Sequence, residues 1–128
     1  MSFSAVVTPD DLKRGELVEP GWYPMLIEKY EEKEANTDKS VNAIFHLKVF
    51  DGSEKGKTAR YQLNEKAMGF GKNLYAALKF PFDKEKGYSV NSDLFNRTVG
   101  EKLMVYIKRG TSNKGNSFNE VADFKPLS

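Results

Sequence analysis

The stretch SVNAIFHLKVFDGSEKGKTARYQLN, residues Ser40–Asn64, joins two alternating runs through a connection rich in glycine and lysine. On the first run Ala43, Phe45, Leu47 and Val49 face one way, and Ile44, His46, Lys48 and Phe50 the other, the two-residue period of a strand. On the second run Ala59, Tyr61 and Leu63 join the apolar side, leaving Thr58, Arg60 and Gln62 beside His46, Lys48 and Phe50. The expectation is a long hairpin with one core face and one outer face. That outer face mixes cations with an aromatic ring, a pattern suited to phosphates and unstacked bases of a single-stranded nucleic acid.

The remaining composition sets bounds. With 128 residues, 39% hydrophobic and 12% aromatic, the chain has the size of one globular domain with a real core. It has no cysteine, which excludes disulfides and thiolate metal sites and fits a reducing cytoplasm. No run approaches the roughly 20 apolar residues of a membrane span, and MSFSAVVTPDD has neither a basic start nor a sustained apolar stretch. The net charge of +2 is small but uneven. Residues 1–39 hold 5 Lys and Arg against 9 Asp and Glu, and residues 40–128 hold 15 against 9, or −4 and +6. The basic part begins at the hairpin.

Residues 1–20 read as a leader packed on the body, with Thr8 capping a turn that has Pro9 first and Asp10 and Asp11 in its first turn. Residues 21–128 read as a single domain. Its first strand, GWYPMLIEKYEEKE, carries Pro24, which lacks an N–H and so belongs at a sheet edge or bulge; the facing of Trp22 and Leu26 stays open. After Asn64 the period lengthens, so that Ala67, Met68, Gly71, Leu74, Tyr75 and Leu78 form one stripe of a helix capped by Asn64 and stopped by Pro81. Gly69 and Gly71 weaken that helix, or let it approach a strand closely. A shorter helix capped by Asn91 or Ser92 ends near Gly100; EKLMVYIKRG is a fourth strand and residues 118–124 a fifth.

A helix between strands 3 and 4 of five antiparallel strands predicts a mainly β, five-stranded OB-fold, the Greek-key β-barrel that binds oligonucleotides or oligosaccharides on strands 2 and 3 and in its 1–2 and 4–5 loops. The motifs Pro20-Gly21-Trp22-Tyr23, Phe45-His46-Leu47-Lys48-Val49-Phe50-Asp51-Gly52 with Lys55-Gly56-Lys57, and Val99-Gly100-Glu101-Lys102-Leu103 with Asn119-Glu120-Val121 carry a resemblance. From about Pro20 to Pro126 the chain resembles small bacteriophage single-stranded DNA-binding proteins with an OB-fold. That resemblance implies a replication or recombination accessory that coats single strands in the host cytoplasm. The final residues, Asp123-Phe124-Lys125-Pro126-Leu127-Ser128, do not match the acidic tail by which many such proteins recruit partners.

The expected phosphate partners are Lys48, Arg60 and Lys108, with Lys55, Lys57, Arg109 and Lys114 reaching in from loops and His46 beside them. Phe50 and Tyr106 are the favoured stacking rings, and Trp22, Tyr30 and Phe118 further candidates. One histidine and no cysteine argue against a metal site, and no cofactor is implied. Binding without catalysis is the expectation, as a monomer or homodimer, with RNA open as a second ligand. Two rival classes share some of these features. Pro9-Asp10 with Glu31-Glu32-Lys33 faintly echoes metal-dependent nucleases. Exposed aromatics also suit a barrel that binds protein. Salt dependence separates nucleic acid from protein as partner.

Overall fold

β1 (Gly21–Glu34) is long enough to pair with two neighbours in turn. Its first half runs antiparallel to β4 (Lys102–Thr111), from Gly21 opposite Ile107 to Leu26 opposite Lys102. Its second half runs antiparallel to β2 (Val41–Val49), from Met25 opposite Val49 to Glu34 opposite Val41. The register shifts between Ile27 and Lys29, a bulge that bends the strand from one partner to the other. Pro24 sits where the pairing with β2 ends, and its carbonyl accepts from Phe50 N just beyond that strand at 3.2 Å. The missing N–H thus falls at the margin of that pairing, opposite Phe50. This structure, a computed structural model, describes residue 2 and residues 4–127, without the side chains of Asp10 and Asp11.

β2 and β3 (Thr58–Asn64) form the expected antiparallel hairpin, from Lys48 opposite Thr58 to Asn42 opposite Asn64. Its connection turns on Gly52 and Gly56 at φ of 89° and 97°, a region costly for a residue with a Cβ. β5 (Ser117–Lys125) pairs antiparallel with β4 and meets β3 in parallel only at Arg60 and Glu120. The neighbour order β1-β2-β3-β5-β4 thus returns to β1, and the five strands close on themselves. Met25, Ile27, Phe45, Leu47, Val49, Leu103, Val105 and Ile107 are fully buried inside. Truncating one such ring, as in Phe45→Ala, costs about 3–5 kcal/mol.

The segment after β3 departs from the single helix that its periodicity predicts. Asn64 does cap it, with Oδ1 accepting from Lys66 N at 3.0 Å, but Glu65–Gly71 is a 3-10 stretch interrupted at Ala67. The α-helical part, α2, is only Lys72–Ala77. Close approach at Gly71 accompanies the difference: a Cβ there would lie 2.7 Å from the Tyr75 ring and 2.8 Å from Leu63 Cδ1, so this segment is pressed onto β3 and Tyr75, whereas Gly69 has open space around it. Chain reversal at Lys79, with φ of 60°, ends the helical segment before Pro81 is reached. α3 (Ser92–Asn96) is capped by Asn91, whose Oδ1 accepts from Leu94 N at 2.9 Å, and ends short of Gly100. Phe95 of α3 closes one end of the core against Tyr30 and Phe45, at 5.6 and 5.2 Å between ring centroids.

The leader begins with α1 (Pro9–Lys13) and then lies along the β3–β5 seam. Arg14 makes a two-pronged pair with Glu28 at 2.9 and 2.8 Å, and Gly15 N donates to Thr58 Oγ1. Val18 is buried in the core cluster. The first-turn roles expected of Asp10 and Asp11 rest on side chains outside those described. Among the described residues no helix is long and apolar enough to cross a membrane.

Candidate nucleic-acid interface

The outer side of β4, β1 and β2 is built in three cross-strand rows, because every second residue of each strand points outward. Lys48, Leu26 and Lys102 form one row, Leu26 being paired with both lysines. Pro24 and Met104 form the next, with Phe50 following the end of β2 beside Pro24. Trp22, Tyr106 and Asp123 form the third. The structure thereby settles the facing of Trp22 and Leu26: both lie outside. The rows span roughly 13 Å along the strands.

Each of the two ring groups has an ammonium beside it. Lys125 Nζ stands 4.4 Å from the centroid of the Trp22 ring, and Lys102 Nζ stands 4.8 Å from that of Phe50, both within cation–π range. Trp22 and Tyr106 meet edge to face at 5.5 Å. Trp22 keeps 36% of its surface in solvent, so the indole is supported from one side and open on another. Among the described residues, Lys48, Lys102 and Lys125 form no ion pair within 4.0 Å, which leaves three cations around one exposed ring, Trp22, and two half-buried ones, Phe50 and Tyr106. Such a face offers charge to phosphates and flat apolar area to bases.

A groove of about 510 Å³ adjoins this face, lined by residues that include His46, Arg60, Gln62 and Phe118. One cross-strand row runs through it: Lys29, His46, Arg60, Glu120 and Lys108. Its lysines face carboxylates, whereas Arg60 has, among the described residues, only a neutral amide for a partner. Lys108 pairs with Glu120 at 3.1 Å, Arg60 donates to Gln62 Oε1 at 3.2 Å, and His46 Nε2 lies 3.5 Å from Glu31, which also holds Lys29 and Lys33. The Arg14 guanidinium, hydrogen-bonded to Glu28, holds that carboxyl below its usual range. Phe118 lies across Gly110, where a Cβ would come within 2.6 Å of the ring. The bare backbone of Gly110 is what lets the ring come this close to β4.

The remaining expected cations divide by role. Lys55 and Lys114 are exposed on the β2–β3 and β4–β5 connections. Lys57 is tied down: Nζ donates to Leu17 O at 3.2 Å and pairs with Glu54 and Glu16, and the Glu54 carboxylate raises its pKa. Arg109 donates to Val18 O at 3.1 Å, so it too holds the leader. Tyr30, a candidate stacking ring by sequence, is a correction: it is buried against Phe45 and Phe95, with its hydroxyl on Glu32 at 2.6 Å. Burial and that carboxylate raise its pKa. Lys102 and Lys125 were not singled out by sequence, although alternation places both outward on their strands. Among the described residues no group of three or more His, Asp or Glu is placed to hold a metal ion, and the Asp10 side chain lies outside them.

No curated protein matches the chain. Residues 6–128 match the model of one family, nearly the whole length of the chain, which therefore belongs to the DUF669 family, described as a protein of unknown function.

Proposed function

We propose that this protein is an OB-fold that binds single-stranded DNA with little sequence preference and without catalysis, as an accessory of phage DNA replication or recombination. The closed five-strand order with helical segments between β3 and β4 supports the fold. Fold alone does not give function. The observation that carries the reading is the outer face on which Trp22 and Phe50 each stand beside a lysine, with Tyr106 and Lys48 in adjoining rows. An apolar protein interface has no use for three lysines that, among the described residues, form no close ion pair, whereas a polyanion that presents flat bases uses both parts. Every base has a π face, so the expected discrimination among sequences is weak.

Trp22 is the only tryptophan, so its fluorescence reports on the proposed contact directly. Titration with oligo-dT is expected to change that emission saturably, and added salt to reverse the change. Emission that ignores oligo-dT at low salt contradicts the reading and leaves the face to a protein partner.

A further inference from the structure

Phe70 is the most exposed aromatic ring among the described residues, at 83%, yet the backbone that carries it is held on both sides. Its carbonyl accepts from Tyr61 Oη at 3.2 Å, Met68 O accepts from Tyr75 Oη at 2.7 Å, and Gly71 is wedged against Tyr75 and Leu63. A ring carried on a fixed backbone has only its two side-chain torsions left to lose when something stacks on it. Lys66 and Lys72 flank it, and together with Ala67, Gly69 and Asn73 they line a concavity of about 490 Å³. Lys66 is paired with Asp38 at 2.7 Å, while Lys72 forms no ion pair among the described residues.

Asn73 connects this concavity to the face described above. Its Nδ2 donates to Asp123 Oδ1 at 2.7 Å, and Asp123 is the cross-strand neighbour of Tyr106, which is opposite Trp22. The same Oδ1 of Asp123 also accepts from Phe124 N at 2.8 Å, so this one oxygen is engaged twice within the protein. Lys125 and Lys72 outnumber this one anion along the path.

We infer that Lys66–Asn73 is a second contact station for the same nucleic-acid strand, in which Phe70 stacks one base and Lys72 meets a phosphate, reached from Trp22 and Tyr106 by way of Asn73. The inference rests on the single-strand reading and extends its footprint from the sheet onto the segment between β3 and α2. The station serves only oligonucleotides long enough to cover both places. Its ligand is a single strand, since a base must be unstacked to lie on Phe70.

The test is a length series of labelled oligo-dT, from about 4 to about 16 nucleotides, the range of site sizes for one such domain, bound to wild type, Phe70→Ala, Phe70→Trp and Lys72→Ala. Phe70→Ala removes only a solvent-exposed ring, so the fold is retained. The expected result is equal affinity of wild type and Phe70→Ala for the shortest strands and a loss of about tenfold for the longest, the scale of one base–aromatic stack. Phe70→Trp restores long-strand affinity, and Lys72→Ala lowers the salt slope for long strands alone. Equal affinity of Phe70→Ala and wild type at every length overturns the station and leaves the sheet face standing. An equal loss at every length overturns it as a separate station. Failure of wild type to bind any strand overturns both readings together.

Discussion

Val18 N donates to Asn119 Oδ1 at 3.0 Å, joining the leader to a side chain of β5 that is itself buried. The same amide uses Nδ2 to reach Glu16 O at 2.8 Å and Thr58 O at 3.1 Å, so one residue links leader, β3 and β5. It stands where β3 and β5 share a single paired position. Asn119→Ala leaves these buried partners without a hydrogen bond, at a cost of about 2–3 kcal/mol. Urea unfolding is expected to show a lower midpoint with the slope unchanged, and limited proteolysis to cut within residues 14–19 first.

Lys57 and Arg109 hold Leu17 O and Val18 O, unlike Lys48, which forms no ion pair among the described residues. Lys57→Met and Arg109→Met are therefore expected to lower the urea midpoint while leaving the salt dependence of oligo-dT binding near that of wild type. A full drop in the salt slope with stability unchanged would move both residues to the binding surface.

Cations and rings should separate in their salt response. Lys48→Ala combined with Arg60→Ala is expected to weaken binding of all sequences and to reduce the magnitude of the slope of log K against log salt by about 1.4, from two phosphates at ~0.7 each. Trp22→Ala, Tyr106→Ala and Phe50→Ala are each expected to cost about 1–3 kcal/mol of affinity with the slope nearly constant. Anisotropy titrations over a salt series distinguish the two patterns.

The connection between β1 and β2 carries an acid-sensitive contact. Asp38 accepts from Lys66 Nζ at 2.7 Å and from Ser40 Oγ and N at 2.6 and 3.0 Å, and these partners pull its pKa from 3.8 down to about 2. A carboxylate whose pKa is lower when folded contributes stability above its unfolded pKa and loses it as pH falls towards the folded one. Asp38→Asn is thus expected to lower the urea midpoint at neutral pH. The difference from wild type should shrink as pH falls from about 3.8 to about 2.

Alternation made the hairpin legible: Phe45, Leu47, Val49 and Leu63 are buried, while His46, Lys48, Arg60 and Gln62 face outward on paired strands. Periodicity could not reveal the break at Ala67, because a stripe of apolar residues reads alike whether the turns are 3-10 or α, and contact of Gly71 with Leu63 depends on a strand eight residues away in sequence. Ile44 marks a related limit. It alternates outward between Glu31 and Gln62, yet retains only 2% of its surface, since long neighbouring side chains can cover an outward position. The partners of the rings were hidden for a different reason. Lys125 reaches Trp22 only because β5 and β1 both lie beside β4, an adjacency that follows from closure of the sheet and not from local pattern. The duties of Lys57 and Arg109 depend likewise on where the leader lies.

The most direct test of the central claim is a fluorescence-anisotropy titration of the intact chain with labelled oligo-dT, matched RNA and matched duplex over a salt series, with and without magnesium. The expected result is binding that favours the single DNA strand, weakens steeply with salt, ignores magnesium and leaves the oligonucleotide uncut. Absence of binding at low salt contradicts the account and turns the Trp22–Tyr106 face into a protein interface. Magnesium-dependent cleavage contradicts it in the other direction, towards an enzyme.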